Sequence, residues 1–163
     1  GKSCHLAAIM QNEGRVLATD IRSDRLEIVN DNAQRLGATI IRTQLVDEEG
    51  LRLPPGPFDA VLVDVPCSNT GVLGKRPEAR WRITAEGIEA LTNVQANLLG
   101  HALERLAPGG RLLYSTCSID TAENQDIVQR VLKHFPQARL IEEEQFIPGR
   151  PGDGAYQALI ANA

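Results

Sequence analysis

The sequence lacks several features that would assign it to particular classes of protein. No apolar run approaches the roughly eighteen residues of a membrane-spanning helix, and the N-terminus has no signal-peptide layout. The three cysteines form no Cys-x-x-Cys pair and no cluster of metal ligands. This usage favours reduced thiols over a disulfide framework or a zinc site. We therefore expect a cytoplasmic protein without a metal site.

Composition indicates a globular domain, with one local departure in charge. The 163 residues are 42% hydrophobic and 23% charged, and the net charge is −4, which argues against a protein that coats nucleic acid. A basic cluster nevertheless surrounds one tryptophan, and its members are Lys75, Arg76, Arg80, Trp81 and Arg82. This cluster is compatible with RNA binding. For Trp81, the alternative is a side chain that seals the top of the core.

Strands alternate with helices along the whole chain, which predicts a parallel sheet covered on both faces. The predicted elements are a helix in residues 1–12, a strand at 15–20, a helix that Ser23 or Asp24 caps and Gly37 ends, strands at 38–41 and 59–63, a helix at 84–106, a turn at 107–110, a strand at 111–114, a helix after a capping box at Asp120 and Glu123, and strands at 139–141 and 156–160. The apolar stripe of helix 84–106 includes Leu91, Val94 and Leu98. The sum is a Rossmann-like α/β fold. It begins part-way through its first βα unit, so we expect residues 1–163 to be an N-terminally truncated domain without its first strand and most of its glycine loop.

Three aspartates lie at predicted strand ends. Asp20 could accept hydrogen bonds from the ribose hydroxyls of an adenosine cofactor, either a dinucleotide or S-adenosylmethionine, or it could cap the next helix. Asp47 could accept from an adenine amino group, or belong to a solvated acidic loop with Glu48 and Glu49. Asp64 precedes a rigid Val-Pro turn, which favours a chemical role over a structural one.

Two cysteines follow predicted strands directly. Cys67 lies in the motif at 64–68, Asp-Val-Pro-Cys-Ser, and Cys117 lies in the motif at 115–118, Ser-Thr-Cys-Ser. Because ligands bind at the carboxyl ends of strands in open α/β sheets, both thiols are placed for reaction. The alternative for each is a small buried hydrophobe, which we expect for Cys4. The three histidines share no spacing and are interpreted as ordinary surface or core residues.

These two motifs, with Pro-Gly-Gly at 108–110 and Glu-Asn at 123–124, resemble the RNA cytosine-5 methyltransferases of the Nol1/Nop2/Sun family. Gly1 and Lys2 resemble the end of that family's glycine-rich cofactor loop, and Asp153-Gly154 its closing strand. The run 1–6 and the basic cluster are most similar to the bacterial Sun type, which modifies small-subunit ribosomal RNA. Val65, where the family usually has a second proline, and Ala155-Tyr156, in place of an aromatic pair, depart from the pattern.

The resemblance implies a Rossmann-like fold, S-adenosylmethionine as cofactor and ribosomal RNA as substrate, in a monomeric enzyme. It implies that Cys117 attacks C6 of the cytosine, that Cys67 assists proton removal or release of the adduct, and that Asp64 contacts the base and the cofactor. It also implies cofactor contacts from Gly1, Lys2, Asp20 and Asp47. In DNA cytosine-5 methyltransferases the Pro-Cys cysteine attacks, which leaves Cys67 as the alternative nucleophile.

Three other functions compete with this interpretation. An amino-methyltransferase would have an aromatic residue where Cys67 stands, to stack on its target group. A nicotinamide dehydrogenase would share the fold and Asp20 but would have no use for paired thiols. A catalytically silent RNA- or partner-binding fragment remains the alternative outside enzymology.

Overall fold

The computed structural model describes residues 1–47, 53–149 and 152–163. Within them the chain forms two compact units, Gly1–Pro54 and Pro55–Ala163, and each is described by itself. The acidic loop proposed around Glu48 and Glu49 lies outside the described residues. That residues 1–163 act as one catalytic domain stays a prediction.

The first unit is a β-α-β arrangement preceded by a helix. Its elements are α1 (Lys2–Ile9), β1 (Val16–Asp20), α2 (Ser23–Leu36) and β2 (Ile41–Leu45). The two strands are parallel, with Val16 opposite Ile41 and Asp20 opposite Leu45. Cys4, as expected, is a buried core residue, and it packs with Ala7 and Ile41.

Two local predictions in this unit were wrong. The strand predicted at 38–41 begins only at Ile41, because the preceding residues end helix α2. Gly37 adopts a left-handed conformation with φ 66°, as its predicted role as a helix stop requires, and the Ala38 N–H then bonds back to the Ala33 carbonyl. Helix α2 is capped by neither Ser23 nor Asp24, since both lie in its first turn and the N-cap residue is Arg22.

The second unit is a four-stranded sheet with helices. Its elements are β3 (Phe58–Asp64), a 3-10 helix (Thr70–Val72), α3 (Ala79–Arg82), α4 (Ala85–Glu104), β4 (Leu106–Thr116), a second 3-10 helix (Thr121–Glu123), α5 (Gln125–Leu132), β5 (Ala138–Phe146) and β6 (Ala155–Asn162). The strand order is β3-β4-β6-β5. The turn predicted at 107–110 lies within β4 as a register shift, where Gly109 has a φ of 74°.

The predicted α/β class is confirmed, but the sheet is not wholly parallel. Strands β3 and β4 are parallel, whereas β6 is antiparallel to both β4 and β5. The reason is the link between β5 and β6, which contains no helix in the residues described and is too short for a parallel crossover. The chain therefore reverses after β5, and β6 pairs with β5 on one side and with β4 on the other.

A continuous hydrophobic core joins the helices of the second unit to its sheet. The buried residues include Leu99, Leu103, Leu112, Tyr114, Ile127, Val128, Tyr156 and Ile160. The rings of the two tyrosines meet edge to face with their centroids 6.3 Å apart. Two details differ from expectation. Val94 is exposed while its neighbour Gln95 is fully buried. In β3, Val61 and Val63 are only partly buried and Leu62 is exposed.

Candidate active site

The ends of two neighbouring parallel strands bring the predicted cysteines together. Asp64, the last residue of β3, lies opposite Ser115 near the end of β4. Both chains therefore leave the sheet at the same edge. The Sγ atoms of Cys67 and Cys117 lie 3.2 Å apart, within hydrogen-bonding distance for two thiols. Cys67 is buried and Cys117 is half-buried, so Cys117 is the more exposed residue of the pair.

A buried carboxylate fixes the loop that contains Cys67. Glu123 accepts the backbone N–H of Ser68 at 2.8 Å, the Ser68 hydroxyl, and the side-chain amide of Gln95 at 3.0 Å. The same amide donates to the Pro66 carbonyl at 2.9 Å. The spacing of Asp120 and Glu123 had suggested a capping box. Asp120 does cap the 3-10 helix through the Ala122 N–H, but Glu123 instead points into the interior.

A second set of polar contacts fixes the loop that contains Cys117. The Ser118 hydroxyl lies 2.9 Å from that of Thr70 and 3.3 Å from that of Ser68. The side chain of Asn124 accepts from Thr116 at 2.6 Å and donates to the Ser118 carbonyl at 3.0 Å. Both cysteine loops therefore share one buried network.

Gly71 completes this network through its backbone. Its N–H donates to the Cys117 carbonyl at 3.0 Å, and its own carbonyl accepts the Gly154 N–H at 2.8 Å. A Cβ at position 71 would lie 2.3 Å from the Gly154 oxygen and 2.8 Å from the Cys117 oxygen. Only glycine fits here, and Gly154, singled out by the sequence, is its partner.

The two thiols have opposite electrostatic environments. The hydrogen bond with Cys117, together with burial, raises the pKa of Cys67. The same bond lowers the pKa of Cys117 to about 7, an effect that Arg76 supports and that burial and Asp64 oppose. Cys117 is therefore the more readily ionised thiol of the pair, and Cys67 is the one that holds its proton more strongly.

Sequence reasoning missed three side chains of this site. Glu123 and Gln95 are described above, and the third is Asn69, whose Oδ1 lies 3.2 Å from the Cys117 Sγ. Glu123 is 55 positions from Ser68, so no local pattern connects them. For Asn69, the signal available was its place two residues after Cys67.

The basic cluster lies beside this site rather than in the core. A cavity of about 210 Å³ is lined by Cys67, Ser68, Asn69, Arg76, Arg82 and an apolar wall that includes Ile88. Trp81 is 84% exposed, so the alternative of a tryptophan sealing the core was wrong. Lys75 pairs with Asp153 at 2.6 Å, and Arg80 is exposed.

The residues predicted to bind a cofactor occur in both units. In the first, Asp20 ends β1, where one carboxylate oxygen accepts the Arg22 N–H at 3.0 Å and the other lies 3.6 Å from the Arg25 guanidinium. Each carboxylate oxygen has two lone pairs, so acceptor capacity remains and the group fits a ribose. Asp20 does not take the alternative role of capping α2, because its carboxylate accepts the N–H of Arg22, the residue that precedes the first turn of the helix.

The other predicted cofactor residues lie at the ends of elements. Gly1 is the N-cap residue of α1 and Lys2 its first residue. Asp47 lies two positions after β2 and is partly buried, whereas Asp64 is exposed at the end of β3 in the second unit. The cofactor contacts of these residues stay predictions.

Across residues 1–47, 53–149 and 152–163, no group of three His, Cys, Asp or Glu side chains could hold a metal ion. Over the same residues, no helix combines the length and apolar character of a membrane span.

Comparison with known proteins identifies the class and then the family. The chain superposes on a crystal structure of NSun6 from Pyrococcus horikoshii with SFG, with a TM-score of 0.87 and 27% identity over 99% of this chain and 45% of that one. The fold is thus that of the Rossmann-like methyltransferases. The sequence model described as 16S rRNA methyltransferase RsmB/F matches residues 1–157, and the chain belongs to this family. The Sun-type resemblance is confirmed.

Curated relatives agree with this assignment. Ribosomal RNA small subunit methyltransferase F of Serratia proteamaculans is 36% identical over 162 residues, which cover 98% of this chain and 33% of the relative. Methyltransferase B of Vibrio cholerae is also 36% identical, over 99% of this chain and 39% of the relative. The chain therefore spans between about a third and two fifths of the length of these two relatives.

Proposed function

We propose that this chain is the catalytic part of a ribosomal RNA methyltransferase that modifies C5 of a cytosine in small-subunit RNA. The observation that supports the proposal most is the pair of thiols, 3.2 Å apart, at the carboxyl edge of β3 and β4. When bound, S-adenosylmethionine supplies the methyl group as an electrophile. We further infer a monomeric, cytoplasmic protein.

Cytosine C5 is a poor nucleophile, and addition of a sulfur nucleophile to C6 makes C5 more reactive. In the proposed reaction the Cys117 thiolate forms a C–S bond to C6, and the displaced electron pair makes C5 nucleophilic. C5 takes up the methyl group, a base then removes the C5 proton, and the returning electron pair breaks the C–S bond. Cys117 suits this role because its pKa, lowered to about 7 by Cys67, leaves much of it ionised at neutral pH.

Cys67 is suited to release rather than attack. Its thiol keeps its proton at neutral pH, because the bond with Cys117 and its burial raise its pKa. A protonated thiol 3.2 Å from the departing sulfur stabilises the thiolate that elimination produces. We assign to Asp64, at the end of β3, a hydrogen bond to the amino group or to a protonated N3 of the base.

RNA recognition is assigned to the basic cluster. Arg76 and Arg82 line the cavity beside Cys67, and Trp81 projects into solvent with an exposed ring. Arginines neutralise phosphates, and an exposed aromatic ring stacks on an unpaired base. Because the target C5 must enter a pocket, we expect recognition of a single-stranded or flipped nucleotide.

A labelled-methyl assay tests the reaction. The longest form of the protein that its gene encodes is incubated with labelled S-adenosylmethionine and unmodified small-subunit RNA, and the RNA is then digested to nucleosides. We expect label in 5-methylcytidine. Label in a methylated adenosine, or in no cytidine, would contradict the proposal.

Substitution of each cysteine tests the roles. Cys117→Ala should abolish both methylation and any covalent RNA adduct, since no sulfur remains to attack C6. Cys67→Ala should retain attack but release the adduct slowly, so that a protein–RNA species persists in denaturing gels. Cys4→Ala, a buried cysteine of the other unit, is the matched control. An adduct trapped in Cys117→Ala and absent from Cys67→Ala would make Cys67 the nucleophile.

A further inference from the structure

Asn69 occupies an unusual backbone conformation beside the thiol pair. Its φ and ψ of 63° and 24° lie in the left-handed region, which asparagine tolerates better than most residues. Its carbonyl accepts the Val72 N–H at 3.1 Å, at the start of the 3-10 helix that Gly71 attaches to Cys117. The backbone at position 69 is therefore fixed relative to Cys117.

The side chain of Asn69 is oriented by a backbone carbonyl. Its Nδ2 donates to the Cys67 carbonyl at 2.9 Å. Because a carbonyl oxygen only accepts, this contact determines which end of the carboxamide is the nitrogen. The remaining end, Oδ1, consequently faces the Cys117 Sγ at 3.2 Å. An amide oxygen has no proton to donate, so this contact is a hydrogen bond only when Cys117 is a thiol.

The Sγ of Cys117 thus has two neighbours with opposite preferences. Cys67, whose Sγ lies 3.2 Å away, lowers the pKa of Cys117 and favours the thiolate, whereas Asn69 accepts from Cys117 and favours the thiol. The charged groups that act on Cys117 are Asp64, which favours the thiol, and Arg76, which favours the thiolate. Asn69 is therefore the uncharged neighbour that opposes ionisation.

We propose that Asn69 is a positioning residue that retains the proton of Cys117 in the resting protein, so that the thiolate forms fully only when this contact is broken. The part that Asn69 would play in the reaction rests on the proposed role of Cys117 as the nucleophile. The effect of Asn69 on the ionisation of Cys117 does not, because it follows from the contact between its Oδ1 and the Cys117 Sγ.

Alkylation of Cys117 as a function of pH tests this without RNA or cofactor. Each variant is treated briefly with iodoacetamide between about pH 5 and about pH 10, roughly the range in which thiols titrate, and peptide mass spectrometry separates Cys117 from Cys67. In the unsubstituted protein the rate should rise through about pH 7. Asn69→Gly removes the carboxamide but keeps the left-handed backbone accessible. It should move the midpoint down by roughly 0.5 to 1 pH unit, a three- to tenfold gain in thiolate at low pH.

Two further variants make the result specific. Asn69→Asp replaces the amide by a carboxylate, which should move the midpoint upward because a negative charge opposes the thiolate. Asn12→Gly removes another asparagine of positive φ, 59°, in the other unit, and should leave the midpoint unchanged. A midpoint in Asn69→Gly that stays in place or rises would overturn the proposal. Loss of methylation without a shift of the midpoint would also overturn it, whereas failure of the methylation assay alone would count only against the proposed function.

Discussion

Replacement of Glu123 by alanine should strongly destabilise the second unit. The side chain is fully buried and accepts from the Ser68 N–H, the Ser68 hydroxyl and the Gln95 amide. Truncation would leave the Ser68 N–H and one Gln95 N–H buried without an acceptor. The Ser68 hydroxyl would keep a partner in Ser118.

The expected loss of stability follows from these two donors without an acceptor and from the cavity that the side chain leaves. Each unsatisfied buried donor costs about 1–3 kcal/mol, and the emptied space adds a cavity term. We expect a loss of roughly 3–5 kcal/mol in the free energy of unfolding, a large fraction of the stability of an ordinary domain. Glu123→Gln keeps one oxygen acceptor and the same shape. It should cost only about 1 kcal/mol, since the Ser68 hydroxyl can turn to accept from the new amide.

Urea unfolding followed by tyrosine absorbance measures this directly. Both tyrosines of the chain, Tyr114 and Tyr156, are buried in the core of the second unit, so the signal reports on that unit. Glu89→Ala, an exposed glutamate of α4, is the matched control and should change the free energy of unfolding by less than about 0.5 kcal/mol. If Glu123→Ala were as stable as this control, the buried carboxylate would not be what fixes the Cys67 loop.

Two further perturbations test the backbone junction and the basic cluster. Gly71→Ala should destabilise the second unit by about 2 kcal/mol or more, because its Cβ would overlap the Gly154 and Cys117 oxygens. The control Gly74→Ala has open space around its Cβ and should not destabilise the unit, so equal urea midpoints for the two variants would contradict this. Trp81→Ala should leave the urea midpoint unchanged, since the ring is exposed, and should weaken binding of unmodified small-subunit RNA by roughly 1–3 kcal/mol in a filter-binding assay; unchanged affinity would remove Trp81 from the proposed RNA surface.

The parts of the fold that could be predicted are those specified by neighbours in sequence. Apolar runs at 59–63 and 111–114 predicted two strands, which the structure extends to Asp64 and Thr116, and the rule for strand ends placed Cys67 and Cys117 at one edge. Gly37 predicted the end of α2 because helices commonly end in a left-handed conformation that favours glycine. In each case the cause and its effect lie within a few residues.

The parts that could not be predicted depend on contacts distant in sequence. Glu123 has the spacing of a capping residue, and nothing local reveals that its acceptor atoms serve Ser68 instead. Gln95 interrupts an apolar stripe, so a pattern of hydrophobicity assigns burial to Val94 and misses the polar residue. The direction of β6 depends on the link to β5 rather than on the composition of the strand itself.

The same distant contacts connect the structure of the loops to the chemistry of the thiols. The loops after β3 and β4 are joined by the sulfur pair, by the Ser68–Ser118 contact and by the bond from Gly71 to Cys117. The difference in pKa between the two cysteines arises mainly from their mutual hydrogen bond, and that bond exists only while the loops keep their spacing. A change that separates the loops would therefore raise the pKa of Cys117 as well as displace it. Stability of the buried network and ionisation of Cys117 should consequently vary together, even for substitutions such as Glu123→Ala that touch neither sulfur.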